Sequence, residues 1–542
     1  MKKPAFKLVY LIIPVIFLVI AVYLRDVRGI YHTSGVDPEY AFLYNGLNVA
    51  LLKLRIWHIQ HPATPLQLLC GLVIRLIHLF FGKGPITNDV LNRPEFYLAG
   101  ISYTIFLLMA ISNAALGYFS HKFTRQPLLS LLIQLSPFMS TMVASFFFRI
   151  ATEPMLIITI QVYAIYMLYM LHINYNRKHI IVFAVITSLS IATKVNTFSL
   201  AVIPLFFLIN YKERLLYLGT VTLSFFIWAF PVVLRINQYF FWIKGLLLHS
   251  GRYGTGEQKF LDWPSFFNNL KDMFTGDWLW TGFLILLGLG VLLMLIPNVD
   301  RKLFAENRKN KKMLLGIIIS FLMLFLIVSK HYTYYYLLPA LVLVIPAFVI
   351  LLLTLKSAYL KNTIAAISIF AILIIQCKDI PVMLKGYKVR NLERKMTSQY
   401  VQERFNREDT IVLVPNYYGN AFPQYALFFG SWWSGPNQRE LVYQQHLKKM
   451  YPNTYIYNPV EKYFHFWGER IPVGDILDKY PGIYVSVGWQ MEKPFQDVIS
   501  IMDTVTTDFT LDTLYINEKS EEEIFLLKQY QPADLPEPST RR

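Results

Sequence analysis

Long apolar runs constrain this chain more than any other feature. About eleven of them approach or reach the roughly 20 residues that a helix needs to cross a bilayer, at 8–24, 97–119, 127–147, 154–172, 179–193, 196–210, 214–234, 279–297, 313–329, 337–355 and 360–376. Lipid offers peptide groups no hydrogen bonds, so runs of this kind fold as helices. Composition agrees, since 55% of the 542 residues are hydrophobic and 16% are charged, against about 25% charged in soluble domains. The expected fold is an α-helical polytopic membrane bundle over 1–378, followed by a soluble α/β domain over 379–542. The first run follows Lys2, Lys3 and Lys7 and lacks a small-residue cleavage site, the pattern of a retained anchor.

Charge orients the bundle. The net charge of +17 does not point to nucleic acid, because much of the Lys and Arg lies in short loops between apolar runs, where cytoplasmic retention accounts for it. The stretch 65–82 is apolar but carries Gln67, Arg75 and His78. If it lies in the interface, the compact basic clusters, including Arg301 to Lys312, fall inside, as the positive-inside bias requires. Residues 38–82 are therefore expected to form two interfacial helices in one large outer loop, 25–96, the first an amphipathic surface helix with Asn45 and Asn48 off its apolar stripe. The loop 235–278 and everything after about 378 then also lie outside. This predicts a multi-pass protein of the cytoplasmic (inner) membrane with its polar chemistry and C-terminal domain on the extracytoplasmic side.

The tail changes character. A charged helical stretch over 388–407 leads to β-rich runs at 410–414, 454–457 and 483–487, separated by Pro, Gly and Asn turns. The aromatic segment 425–435 suits packing onto the bundle or stacking against a sugar. Cys70 and Cys377 have no metal-ligand spacing and read as free thiols.

Several residues at the outer face could carry chemistry. Asp37 and Glu39 flank Pro38, an arrangement that suits a helix N-terminus and equally a pair of carboxylates poised for acid–base work. His61-Pro62 precedes the stretch 65–82. Lys194 ends an apolar run and either snorkels to headgroups or meets an anion. Lys330 and His331 precede Tyr334, Tyr335 and Tyr336, which form an aromatic belt with a cation pair inside it. Glycines surround Arg252 and Tyr253, in a loop open either to an anion or to a simple turn. Arg149 and Glu153 suit pairing with each other or with headgroups. No zinc spacing and no phosphate-binding Gly-Lys-Ser/Thr loop occurs.

Taken in order, these motifs resemble the GT-C superfamily of membrane glycosyltransferases, near the protein O-mannosyltransferases and the lipid A aminoarabinose transferases. The residues that carry the resemblance are Asp37 and Glu39, His61-Pro62 with Pro65-Leu66, Thr193-Lys194, and Lys330-His331 followed by Tyr334 to Pro339. His61-Pro62-Ala63 departs from the family's usual His-Pro-Pro, and Pro38 splits acids that are adjacent in the mannosyltransferases, which leaves open which acid is the base. The resemblance implies a GT-C-like bundle and transfer of a sugar from a polyprenyl-phosphate donor to a hydroxyl on a glycan, lipid or protein, with inversion. It implies Asp37 or Glu39 as catalytic base, Lys194, Lys330, His331 and Arg252 around the donor phosphate, and His61, Tyr253 and Tyr335 in substrate binding. No cofactor is expected, and a divalent cation requirement stays open. Two other readings compete: a polysaccharide polymerase or ligase using polyprenyl-diphosphate-linked glycans, and a lipid-linked glycan flippase or transporter, the second disfavoured by charges that gather at helix ends.

Overall fold

The structure is a computed structural model, and it describes residues 8–250, 256–406, 408–414, 419–435, 442–458, 462–480, 482–488, 491–504 and 509–529. Among these, seven helices are long and apolar enough to cross a membrane, or eight if the bent pair Trp263–Thr275 and Trp278–Met294 counts as one span. The chain is a multi-pass membrane protein.

Four of the expected runs are built from shorter or more polar pieces. The run 127–147 becomes Pro127–Gln134, a 3-10 turn Ser136–Phe138 and Thr141–Ser145, because Pro137 cannot continue a helix. The run 196–210 becomes a 3-10 segment Val195–Val202 and the short helix Ile203–Phe207, with Pro204 at the join. Arg177–Thr193 is only 17 residues long, and Tyr211–Trp228 carries Lys212, Glu213 and Arg214 in its first turn. Conversely, Thr64–Phe81, assigned from the sequence to the interface, is one continuous helix of 18 residues that meets the length and hydropathy of a span.

The chain forms two compact units. The first comprises Met1–Arg25, Val49–Val73 and Gly100–Leu384. At its centre lies Leu338–Thr354, in which every residue but Leu353 is buried. It packs on Thr152–His172, Trp278–Met294 and Arg308–Lys330, and a helix covered on every side has no reason to be amphipathic. Arg177–Thr193 packs on Tyr211–Trp228, and its start is fixed by Asn176, whose side chain accepts from the backbone N–H groups of Lys178 and His179. The 95° bend after Thr275 falls at Gly276, where Asp277 caps the next helix by accepting from Trp280 N at 3.0 Å.

The second unit comprises Asp26–Asn48, Ile74–Ala99 and Lys385–Arg542. The sequence-based division at 378/379 counted the whole loop 25–96 with the bundle and fell inside a single helix, Ala358–Arg404. The difference has a local cause. The helix Glu39–Ala50 is buried almost throughout and is not a membrane-surface helix with a wet polar face. Asn45 Nδ2 donates to Trp433 O at 2.9 Å and Asn48 Nδ2 to Ser434 O at 3.1 Å. Both acceptors are last-turn carbonyls of Pro423–Ser434, which have no partner within their own helix. The two asparagines thus cap the aromatic tail helix, and Gly430 lets it approach: a Cβ there would lie 2.4 Å from Tyr44 Cδ2.

A seven-stranded sheet completes this unit in the order β4-β3-β2-β1-β5-β7-β6. Its strands are β1 Ile411–Leu413, β2 Thr454–Asn458, β3 Tyr463–Phe466, β4 Glu469–Ile471, β5 Gly482–Val487, β6 Phe509–Asn517 and β7 Glu522–Gln529. β1 runs parallel to β2 and β5, and the outer pairs are antiparallel. The core gathers Val412, Tyr457, Val485 and Leu527 under Ile476, Val498 and Met502 of two helices, Val473–Lys479 and Glu492–Asp503. This is the α/β domain that the β-rich runs led one to expect.

Candidate functional site

Within the first unit, four segments distant in sequence meet around Lys194. The helix Arg177–Thr193 stops there because Lys194 turns extended, at φ −155° and ψ 123°. Its side chain is 1% exposed and forms an ion pair with Glu153. The ammonium also lies 4.6 Å from the ring centre of Tyr335 and 4.9 Å from that of Tyr336. Lys194 therefore does not snorkel: it is enclosed and paired with Glu153. Buried ions persist only when paired, and here the carboxylate and two aromatic faces share one cation.

The next turn extends the cluster. Asn196 Nδ2 donates to Tyr336 O at 2.6 Å, which ties the 3-10 segment to Tyr334–Leu337. His61 Nε2 and Tyr336 OH are 3.3 Å apart, and the His61 ring centre lies 5.2 Å from that of Trp242. Burial, then the Lys194 charge, hold the His61 imidazole well below its ordinary pKa, so it is neutral at neutral pH.

Lys330 and His331 serve a helix end. Lys330 Nζ donates to Leu247 O, and His331 Nε2 lies 2.8 Å from Leu246 O, at the C-terminus of Ile236–Leu248, where carbonyls lack intrahelical donors. Both residues also line a cavity of about 690 Å³. Its polar wall is Lys330, His331, His61, Asn196 and Tyr336, and the rest is apolar, including Ile243, Leu246, Phe266, Phe267 and Ile327. Among the described residues, Asn196 Oδ1 and His61 Nδ1 are buried without a hydrogen-bond partner, so a polar group entering here meets groups that need one. Tyr335 reaches this cluster through Lys194, while Arg252 and Tyr253 lie outside the described residues.

Within the second unit, the acidic motif sits on a braced turn. The helix opens at Glu39 and not at Pro38, with Tyr40 N donating to Val36 O at 3.1 Å. Asp37 is exposed, whereas Glu39 is 1% exposed. Glu95 braces the preceding segment: its carboxylate accepts from Tyr31 N and His32 N at 2.9 Å each and from Tyr40 OH at 3.0 Å. Arg28 donates to Ser34 O at 2.8 Å, and Asn420 N donates to His32 O at 2.9 Å. A cavity of about 460 Å³ beside this brace is lined by His32, Tyr40, Arg93, Glu95, Leu427 and Tyr451. Burial, then the Glu95 charge, keep the Tyr40 phenol protonated.

Sequence reasoning missed Glu95, Asn196 and Trp242, and it missed Lys194 as the ion-pair partner of Glu153. Glu95 and Glu153 did offer a signal, since each is a carboxylate in the first turn of a long apolar helix. Among the described residues, no group of three or more His, Cys, Asp or Glu side chains is placed to hold a metal ion.

Together these features define a polytopic α-helical membrane protein of GT-C-like fold with an α/β domain at its C-terminal end. Among the solved structures that match is the crystal structure of ArnT from Cupriavidus metallidurans bound to undecaprenyl phosphate, at a TM-score of 0.51 and 12% identity over 96% of this chain and 97% of that one. The likeness is one of fold. No family model matches the sequence, and no curated protein matches it.

Proposed function

We propose that this chain is a glycosyltransferase that moves a sugar from a polyprenyl-phosphate donor to an acceptor hydroxyl at the outer face of the cytoplasmic membrane, with inversion. The observation that carries the proposal is the 690 Å³ cavity, whose apolar wall ends in Lys330, His331, His61, Asn196 and Tyr336. A prenyl chain carrying a phosphate has the same division of character. The ArnT structure of the same fold was obtained bound to undecaprenyl phosphate.

In the reaction, the acceptor oxygen attacks the anomeric carbon and the carbon–oxygen bond to phosphate breaks. The acceptor proton passes to a carboxylate, and polyprenyl phosphate leaves with one more negative charge. Lys330 meets that growing charge. Lys194, already paired with Glu153, holds Tyr335 and Tyr336 in place, and His61 and Asn196 bind the headgroup. Asp37 is the base in this reading, since its side chain is exposed whereas Glu39 is 1% exposed. The acceptor itself is a hydroxyl of a glycan, lipid or protein.

The test is turnover by the purified chain in liposomes, offered polyprenyl-phosphate sugars and read by mass spectrometry of released polyprenyl phosphate. Asp37→Asn should lower the rate about 10²–10⁴-fold, the range of a general base, without lowering the melting temperature. Glu39→Gln is the companion. If the parent consumes no monophosphate donor, or both acid variants match it, the mechanism fails. Consumption of diphosphate-linked glycans alone would favour a polymerase or ligase.

A further inference from the structure

A second cavity, of about 180 Å³, lies in the second unit, away from the acidic turn in sequence and built by different residues. Its construction follows from local rules. On Pro423–Ser434, Phe428, Ser431 and Trp432 are three and four residues apart and so share one helix face, with the Phe428 and Trp432 rings 6.0 Å apart. On β3, Tyr463 and His465 alternate onto one face, and His465 pairs across the ladder with Arg470 of β4. Between these strands, Trp467 and Gly468 form a two-residue turn with φ of +47° and +103°, the signs that a tight type I′ hairpin demands. Gln444 closes the floor: a Cβ on Gly468 would lie 2.3 Å from its Nε2.

The walls are held rigidly. Trp467 is 1% exposed and donates from Nε1 to Tyr451 O at 3.0 Å. The Trp432 and His465 rings meet edge to face at 5.7 Å. Arg470 lies over Tyr463, its guanidinium carbon 3.9 Å from the ring centre, a contact that suits a planar guanidinium.

Four aromatic side chains, Phe428, Trp432, Tyr463 and Trp467, therefore line one cavity together with Ser431, Gln444, His465 and Arg470. A pyranose has this complementary form: its C–H faces are apolar and suit aromatic walls, while its equatorial hydroxyls project from the edge toward donors and acceptors. The size suits one sugar ring and is far below the 690 Å³ of the apolar cavity. Among the described residues the charged side chain on the wall is the Arg470 cation, with no carboxylate beside it, so the chemistry favours a neutral or acidic ligand over a cationic one. We propose that this cavity is a saccharide-binding subsite that holds one neutral or acidic pyranose ring of a glycan. The glycan's role as acceptor rests on the proposed function, whereas the binding chemistry does not.

The experiment uses the full chain in a sugar-free detergent, since glucoside and maltoside detergents would compete. Methyl glycosides of glucose, mannose, N-acetylglucosamine and glucuronic acid are titrated by calorimetry and by saturation-transfer NMR, with no donor lipid present. At least one glycoside should bind saturably, and Trp432→Ala should weaken it about tenfold or more, the scale of a lost aromatic anchor. Arg470→Ala, at an exposed position, should weaken it severalfold and carries the test if the tryptophan variant misfolds. Absence of binding by all four glycosides, equal binding by both variants, or displacement by indole alone would overturn the assignment. Loss of sugar transfer with glycoside binding intact would count against the proposed function and not against this subsite.

Discussion

Neutralising one member of the Lys194–Glu153 pair should be among the most damaging single changes in the bundle. The lysine is 1% exposed and the glutamate 7%. Lys194→Met leaves a buried carboxylate facing two aromatic rings, and Glu153→Met leaves a buried ammonium held by those rings alone. Removing one partner of a buried pair costs about 3–5 kcal/mol, because the other charge stays desolvated without compensation. At about 1.4 kcal/mol per factor of ten, each variant loses between two and four orders of magnitude in its folding equilibrium. The double variant removes both charges and fills similar volume, so it should recover most of this loss. Only the aromatic contribution to the lysine, of about 0.5–2 kcal/mol, would remain absent. Thermal and denaturant unfolding of the four proteins in detergent closes the cycle, and the coupling energy is the quantity to read. Single variants within about 1 kcal/mol of the parent, or a double variant whose loss equals the sum of the two, would refute the claim that the pair is buried and mutually dependent. If the stable double variant also loses donor turnover, the lysine's placement of Tyr335 and Tyr336 is functional as well as structural.

Three further outcomes follow from other parts of the molecule. Gly430→Val should lower the melting temperature through overpacking of about 1–3 kcal/mol, because its Cβ meets Tyr44 Cδ2 at 2.4 Å; an unchanged melt would show that the tail helix does not pack on Glu39–Ala50. Burial depresses the pKa of His58 to about 4 and, with the Lys194 charge second, that of His61 well below its usual value. Unfolded histidine takes its proton near about 6.5, so their stabilisation is present above that pH and is lost as the pH falls toward 4, and His58→Gln should flatten the decline in melting temperature between those limits; an identical slope in the variant would remove His58 from the account. An impermeant thiol reagent should label cysteines placed at Asn88 and Gly256 from outside and not one at Lys309; cysteines at Lys53 and Lys83 labelled from opposite sides would make Thr64–Phe81 a span and reverse the parity.

Much of the architecture was legible because lipid enforces it. A run such as 337–355 has no alternative to a helix, and Leu338–Thr354 follows it closely. The central strands were legible for a related reason: β1, β2 and β5 are short runs buried on both faces, which read as continuous apolar and β-branched sequence. The last two strands were less legible: β6, at the sheet's edge, interrupts its apolar residues with Thr510, Asp512 and Thr513, β7 opens on two glutamates, and their antiparallel pairing depends on partners that no local pattern names. The helix Glu39–Ala50 misled for an instructive reason. Asn45 and Asn48 lie off its apolar stripe, so local pattern assigns them to water, yet their amides meet the final carbonyls of a helix almost 400 residues away in the chain.

The candidate site divides along the same line. Asp37, His61, Lys194, Lys330 and His331 announce themselves as polar groups at the ends of apolar runs, and a membrane makes such positions costly unless they are used. That argument identifies residues but not their partners. Glu153 opens the helix Thr152–His172 and, at 7% exposure, needs a cation. The sequence offered Arg149 next door and Lys194 and Lys330 at other helix ends, with nothing in the spacing to choose among them. The choice is made by packing: Arg177–Thr193 lies against Thr152–His172, which carries its terminal lysine to the glutamate, while Lys330 is turned to the carbonyl end of Ile236–Leu248. Two lysines that look equivalent as cations at helix ends thus have different work, one enclosed beneath two tyrosines and the other on the wall of the cavity. For that reason Lys330, and not Lys194, is the residue whose replacement by Met should weaken binding of a lipid phosphate while leaving the buried pair intact.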